Sequence, residues 1–181
     1  MLVPLDDLPQ KLRDRVSRSK FDLSDLQLVE PGASAEVISR AEEHLGVKFP
    51  KEFAQLLERF DFSRLSMANL IFEYGRNLEK LIEANLGQPF PWWGTGARPS
   101  NLILVGATDG HAIFLSINDG RVIATEKGAV RQEEVCIAAN FEELVRLAGS
   151  IALGATKGER TNIASTISAV PFWKQLAAGT A

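Results

Sequence analysis

The chain has 181 residues, 45% of them hydrophobic and 24% charged, and a net charge of −3. This is ordinary globular usage at a length that can bury one sizeable core, which excludes a disordered or collagen-like chain. The mildly acidic balance argues against a dedicated nucleic-acid binder, because neutralising phosphates takes clustered Lys and Arg.

The one basic cluster, Lys11, Arg13, Arg15, Arg18 and Lys20, is interleaved with or flanked by Asp6, Asp7, Asp14, Asp22 and Asp25. That is the pattern of a solvated, salt-bridged helix. The first residues, MLVPLDDLPQK, lack the basic region and apolar run of a signal peptide, and no stretch of about 18 apolar residues is present to span a bilayer. The expectation is a soluble cytoplasmic protein with no membrane partner and no direct nucleic-acid partner.

In chain order, Leu8, Leu12 and Val16 recur every four residues around Pro9 and predict an amphipathic helix over 8–19. Pro31 and Gly32 mark a turn, after which Ser34 can cap a helix with Val37, Ile38, Ala41 and Leu45 on one face. Gly46 supplies its left-handed end, and His44 in the last turn suits the unpaired carbonyls. Pro50 opens a second helix whose Phe53, Leu56, Leu57 and Phe60 form a buried stripe. Residues 66–74 (SMANLIFEY) read as a strand ended by Gly75, and Leu78, Leu81, Ile82 and Leu86 predict a helix over 77–87.

Between 88 and 101, Pro89, Pro91, Gly94, Gly96 and Pro99 forbid regular structure and leave an ordered loop carrying Phe90, Trp92 and Trp93. Strands over 102–105, 112–117 and 121–125 form a three-stranded antiparallel meander, with positive φ expected of Asp119 and Gly120 in its second turn. The single cysteine, Cys136, lies in an apolar stretch and is expected to be a buried, inert thiol. Asn140 and Glu143 make a capping-box pattern for a helix bearing Phe141, Leu144, Val145 and Ala148, weakened at Gly149. The tail, with Ile163, Ile167, Val170, Phe172, Trp173 and Leu176, is expected to dock partly as one or two short helices.

Convergent chemistry does not emerge from these residues. The two histidines, His44 and His111, fall in unrelated elements and show no zinc-ligand spacing. Asp109 beside His111 has no accompanying nucleophile motif, and turn chemistry accounts for Asp109 and Gly110. Gly94 and Gly96 do not continue as a nucleotide-binding loop, while the neighbouring carboxylates Glu142 with Glu143, and Glu133 with Glu134, read as solvated charge. Trp92 and Trp93 stand out, because aromatics on a rigid loop offer large contact area at little entropic cost. One is expected inside and one at the surface.

Three segments carry a family likeness. LGVKFPKEFAQLL (45–57) places Leu45, Gly46, Val47, Phe49, Pro50, Glu52 and Phe53 as a helix end, an apolar pair and a proline-opened helix; VGATDGHAIFLSINDGRVIATE (105–126) is a glycine turn and hairpin; NFEELVRL (140–147) is a closing helix. In these the chain resembles the SUKH superfamily, whose eukaryotic founders are the yeast cell-wall assembly regulators. The resemblance covers 33–153 and implies a single α+β domain with a mostly antiparallel sheet flanked by helices; the residue pattern adds a helical extension before it (1–32) and a partly docked tail after it (154–181), the tail having no counterpart in the family.

Compact bacterial members are read as immunity proteins that bind and neutralise a toxin of a contact-dependent or secreted polymorphic system. The resemblance therefore implies a non-enzymatic protein without cofactor or metal, a monomer or weak homodimer. Its partner would be a cognate toxin, a nuclease or another nucleic-acid-modifying enzyme. The residues expected at that interface are Trp92 and Trp93, with the acidic Glu73, Asp109 and Glu126 set against a basic groove. The alternative is a regulatory adaptor or scaffold like the eukaryotic members, with the C-terminal tail as its docking segment.

Overall fold

The computed structural model describes residues 2–89, 91–94, 96–127, 134–154 and 170–179, with side chains of the last helix as far as Ala177. Phe90, Glu133, Ile163 and Ile167, named above, lie outside the described residues. After a 3-10 turn (Leu5–Asp7), α1 (Leu8–Arg18) buries Leu8 and Leu12. Helix α2 (Ala35–Leu45) begins where the Ser34 hydroxyl accepts from the Val37 amide (3.3 Å) and ends at Gly46, φ +64°. Glu42 ties the following turn, accepting from the Phe49 amide (2.8 Å) and from the Lys48 ammonium (2.6 Å).

Helix α3 (Lys51–Arg59) buries Phe53, Leu56 and Leu57. Its last-turn carbonyls on Leu57 and Glu58 accept from the amides of Ala33 (2.7 Å) and Gly32 (3.0 Å), which satisfies groups a helix end leaves open. A β-carbon at Gly32 would stand 2.0 Å from the Leu57 carbonyl oxygen, so only glycine lets the two backbones meet.

The 66–74 stretch is a hairpin rather than one strand. β1 (Ser66–Met67) and β2 (Leu70–Ile71) pair across Ala68 and Asn69, both left-handed at φ +51° and +63°. Asn tolerates that conformation, but Ala gives no such signal, and the apolar run hides the turn. Helix α4 (Glu79–Asn85) is shorter than predicted because Leu78 is left-handed (φ +56°) and stands outside it.

Strands β3 (Leu102–Ala107), β4 (His111–Ser116), β5 (Val122–Glu126) and β6 (Val135–Ala138) complete a six-stranded sheet in sequential order, every neighbouring pair antiparallel. The predicted three-stranded meander is the centre of this longer one. In its second turn only Gly120 takes positive φ (+73°), while Asp119 accepts from the Arg121 guanidinium (2.7 Å). Cys136 is exposed, not buried: a register shift between β5 and β6 sets it opposite Ile123, and Ile137 takes the inward position.

Helix α5 (Phe141–Ala152) is capped by Asn140, which accepts from the Glu143 amide (2.8 Å), and Glu143 in turn accepts from the Ala139 amide (2.6 Å). Phe141 is the centre of an aromatic core, its ring 4.7 Å from Phe53, 5.6 Å from Phe62 and 5.8 Å from Phe72. The helix runs through Gly149 because Leu8 of α1 packs against the bare Cα. Helix α6 (Pro171–Gly179) adds Phe172, Trp173 and Leu176 to the same core, and the Trp173 indole donates to the Ile137 carbonyl (2.7 Å).

Candidate functional site

β2 and β3 share a single register pair, Ile71 with Ala107, and beyond it the chain swings away at Glu73, φ +55°. The gap between residues 71–74, β3 and α4 leaves a hollow of about 260 Å³. Ile71, Phe72, Leu81, Ala84, Leu104 and Val105 wall it, and Glu73, Lys80, Asp109 and Lys127 stand among its polar lining. Asn85, fully buried on α4, blocks the edge of β3 there: its side chain accepts from the Leu104 amide (2.7 Å) and donates to the Leu104 carbonyl (2.9 Å), in the manner of a neighbouring strand. The non-glycine residues of positive φ among those described, Ala68, Asn69, Glu73 and Leu78, all fall in the segment leading to the hollow. Each costs about 1–2 kcal/mol and persists only because the surrounding structure dictates it.

Glu73 and Lys80 approach to 4.0 Å with side chains 64% and 67% exposed, so their pairing contributes little and leaves the Glu73 carboxylate available. Asp109 forms no ion pair among the described residues. It is held in a tight turn closed by the Thr108 amide donating to the His111 carbonyl (2.9 Å) and the His111 amide donating to the Thr108 hydroxyl (3.0 Å). Tyr74, also in the lining, is 2% exposed between Phe62 and Phe72, and its hydroxyl has no hydrogen-bond partner. Burial holds that phenol well above its ordinary pKa, so it stays neutral.

Of the five residues singled out in the sequence, the fold brings Glu73 and Asp109 to one hollow. Glu126 is exposed and in register with His111, beside Lys127 but not in the lining. Trp92 lays its ring on Phe114 (4.5 Å between centroids), and Trp93 meets Trp92 edge to face at 5.2 Å. Both are half-buried, in place of the expected inside and outside pair, because the two rings meet edge to face and each covers part of the other. The Trp93 indole donates to the Gly96 carbonyl (3.1 Å), whereas that of Trp92 is sealed without a partner. Phe114 stands in register with Leu104, which lines the hollow, so the aromatic loop and the hollow adjoin across one cross-strand pair.

Sequence reasoning missed Arg98, which fastens the loop by donating to the Leu102 carbonyl (3.0 Å) and to the Leu45 carbonyl at the end of α2. Partial burial lowers its guanidinium from the ordinary value. It takes the helix-end role expected of His44, whose exposed side chain makes no hydrogen bond among the described residues. Asn85 could have been found: it follows Leu78, Leu81 and Ile82 at the spacing of a buried stripe, and a polar residue there needs partners. Lys80, Lys127 and Tyr74 carried no such signal.

A second hollow, of about 330 Å³, is lined by Leu2, Glu52, Ala139, Asn140, Glu142, Glu143 and Arg146. Several of its polar groups are already committed, Asn140 and Glu143 to capping α5 and Arg146 to Glu142 at 3.4 Å and the Val3 carbonyl at 3.1 Å. Among the described residues no group of three or more His, Cys, Asp or Glu could hold a metal ion, and no helix is long and apolar enough to cross a membrane.

Fold and site define the class: an α+β domain built on a six-stranded antiparallel meander, with an acid-bearing hollow beside an anchored aromatic loop. The family model described as the SMI1 / KNR4 family (SUKH-1) matches residues 32–147, well over half of the chain, and the chain belongs to that family. No curated protein matches the chain.

Proposed function

We propose that this protein is a non-catalytic protein-binding domain, an immunity protein that neutralises a cognate toxin by binding it tightly. The observation that carries this reading is the family match over 32–147, which contains Glu73, Trp92, Trp93, Asp109 and Glu126. Its geometry lends support. Trp92 is held by Phe114, Trp93 by Trp92, and both by a loop that Arg98 fastens, so they offer contact area with little left to order on binding. Glu73 and Asp109 put carboxylates on the adjoining hollow, and Glu126 lies close by, a disposition suited to a basic surface such as the groove of a nucleic-acid-cleaving toxin. The adaptor reading, with the tail as dock, has less support, since Phe172, Trp173 and Leu176 are spent on the core.

The test is co-expression. A partner that arrests growth when produced alone, is retained in stoichiometric amount on the tagged chain through a high-salt wash, and becomes harmless with it would establish immunity. Trp93→Ala is then expected to weaken that complex by about thirtyfold, the loss of a typical aromatic hot spot. Recovery of the chain alone from a toxin-producing host would overturn the reading.

A further inference from the structure

The hollow between β2, β3 and α4 has a shape and lining that select its occupant. At about 260 Å³ it falls below the range of roughly 300–1,000 Å³ usual for small-molecule sites, and suits one large side chain. Its walls are apolar and mostly aliphatic, with Ile71, Leu81 and Leu104 able to cover a hydrocarbon stem. Among its lining residues are two carboxylates, Glu73 and Asp109, and Tyr74, whose hydroxyl is buried without a partner. Neither lysine of the lining is held on an acid, and Lys127 makes no ion pair among the described residues. Lys80 reaches only 4.0 Å from Glu73 and is 67% exposed, so it can swing away on its flexible stem, whereas Glu73 is set by a left-handed backbone and Asp109 by a closed turn. A guanidinium carries five donors in a rigid fork and can serve several acceptors at once; an ammonium, being more strongly hydrated, loses more on entering such a site.

We infer that the hollow receives one arginine side chain of the protein partner, its stem against Ile71, Leu81 and Leu104 and its guanidinium between Glu73 and Asp109. The inference rests on the protein-binding reading and names the chemistry by which this face recognises its partner.

The probe is a blocked arginine amide, titrated into the full chain while backbone amide shifts are followed by NMR, with the citrulline, lysine and leucine amides as counterparts. Saturable shifts are expected at Glu73, Ala107, Thr108 and Asp109, strongest for arginine. Each of Glu73→Gln and Asp109→Asn, both exposed and therefore tolerated by the fold, is expected to weaken binding about tenfold, the usual loss of a charge-assisted hydrogen bond. Lys80→Gln should leave the affinity unchanged or improve it. The inference is overturned by the absence of saturable shifts, by equal binding of the citrulline or leucine amide, or by loss of binding in Lys80→Gln, which would mark an anion site. Its failure is separable from that of the immunity reading: a captured toxin whose affinity ignores Glu73→Gln/Asp109→Asn sinks the arginine assignment alone. A chain that takes the arginine amide at these residues but retains no toxin sinks the immunity reading alone.

Discussion

Asp119 lies in solvent in the β4–β5 turn, yet its carboxyl is held at about 2, below the ordinary 3.8, by hydrogen bonds from the Arg121 side chain first, then the Ser116 hydroxyl and the Arg121 amide. A carboxylate whose pKa is lower folded than unfolded stabilises the fold fully above the unfolded value, and that contribution is lost as pH falls through the folded one. The window therefore runs from about pH 4 down to about pH 2. A carboxyl-carbon NMR titration should place Asp119 near 2, and Arg121→Gln should return it towards 3.8. Unchanged titration in that variant would show that the Ser116 hydroxyl and the Arg121 amide suffice. Asn85 illustrates the buried counterpart: each backbone group of Leu104 left unpaired by its removal would cost about 1–3 kcal/mol.

At the scale of elements, α1 and α5 meet through a missing side chain. A β-carbon on Gly149 would lie 2.6 Å and 2.9 Å from the two terminal carbons of Leu8, which is fully buried and has little room to turn. Gly149→Ala gains about 1 kcal/mol of helix propensity but forces overpacking that costs about 1–3 kcal/mol. Net destabilisation by urea unfolding is expected, and Leu8→Ala in the same chain should cost less than it does alone, because the new methyl occupies space the leucine vacates. Additive effects would place the contact elsewhere. This joint was invisible in the sequence, where Gly149 reads as a weak helix end, because its meaning depends on a residue 141 positions away. Helix caps, by contrast, were legible: Ser34, Gly46 and Asn140 act within three or four residues of themselves.

Across the whole molecule, two stretches of sheet backbone that no strand pairs are closed by single side chains, Leu104 by Asn85 and the Ile137 carbonyl by Trp173. The second closure makes α6 part of the fold, since Phe172, Trp173 and Leu176 belong to the common core. Trp173→Ala should lower stability by about 3–5 kcal/mol, whereas Trp173→Phe, which keeps most of the bulk but orphans the Ile137 carbonyl, should cost about 1–3 kcal/mol. Chemical denaturation of both variants checks this, and equal losses would show that the hydrogen bond dominates the packing. Deleting the tail would therefore disturb the core as well as any docking, so partner binding is better probed by surface substitutions such as Trp93→Ala.

What the sequence determined by itself was local or periodic: the capped helices, the central antiparallel strands, the breaker-rich aromatic loop and the motif over 45–57, which lies inside the family match. Such features follow from interactions within a turn or two of the chain, where propensity and hydrophobic spacing act directly. The left-handed turn at Ala68, the outward thiol of Cys136, the loop anchor at Arg98 and the hollow joining Glu73 to Asp109 were decided only by tertiary structure. The hollow exists because two strands diverge after one shared pair, and nothing local to Glu73, Lys80, Asp109 or Lys127 encodes that divergence.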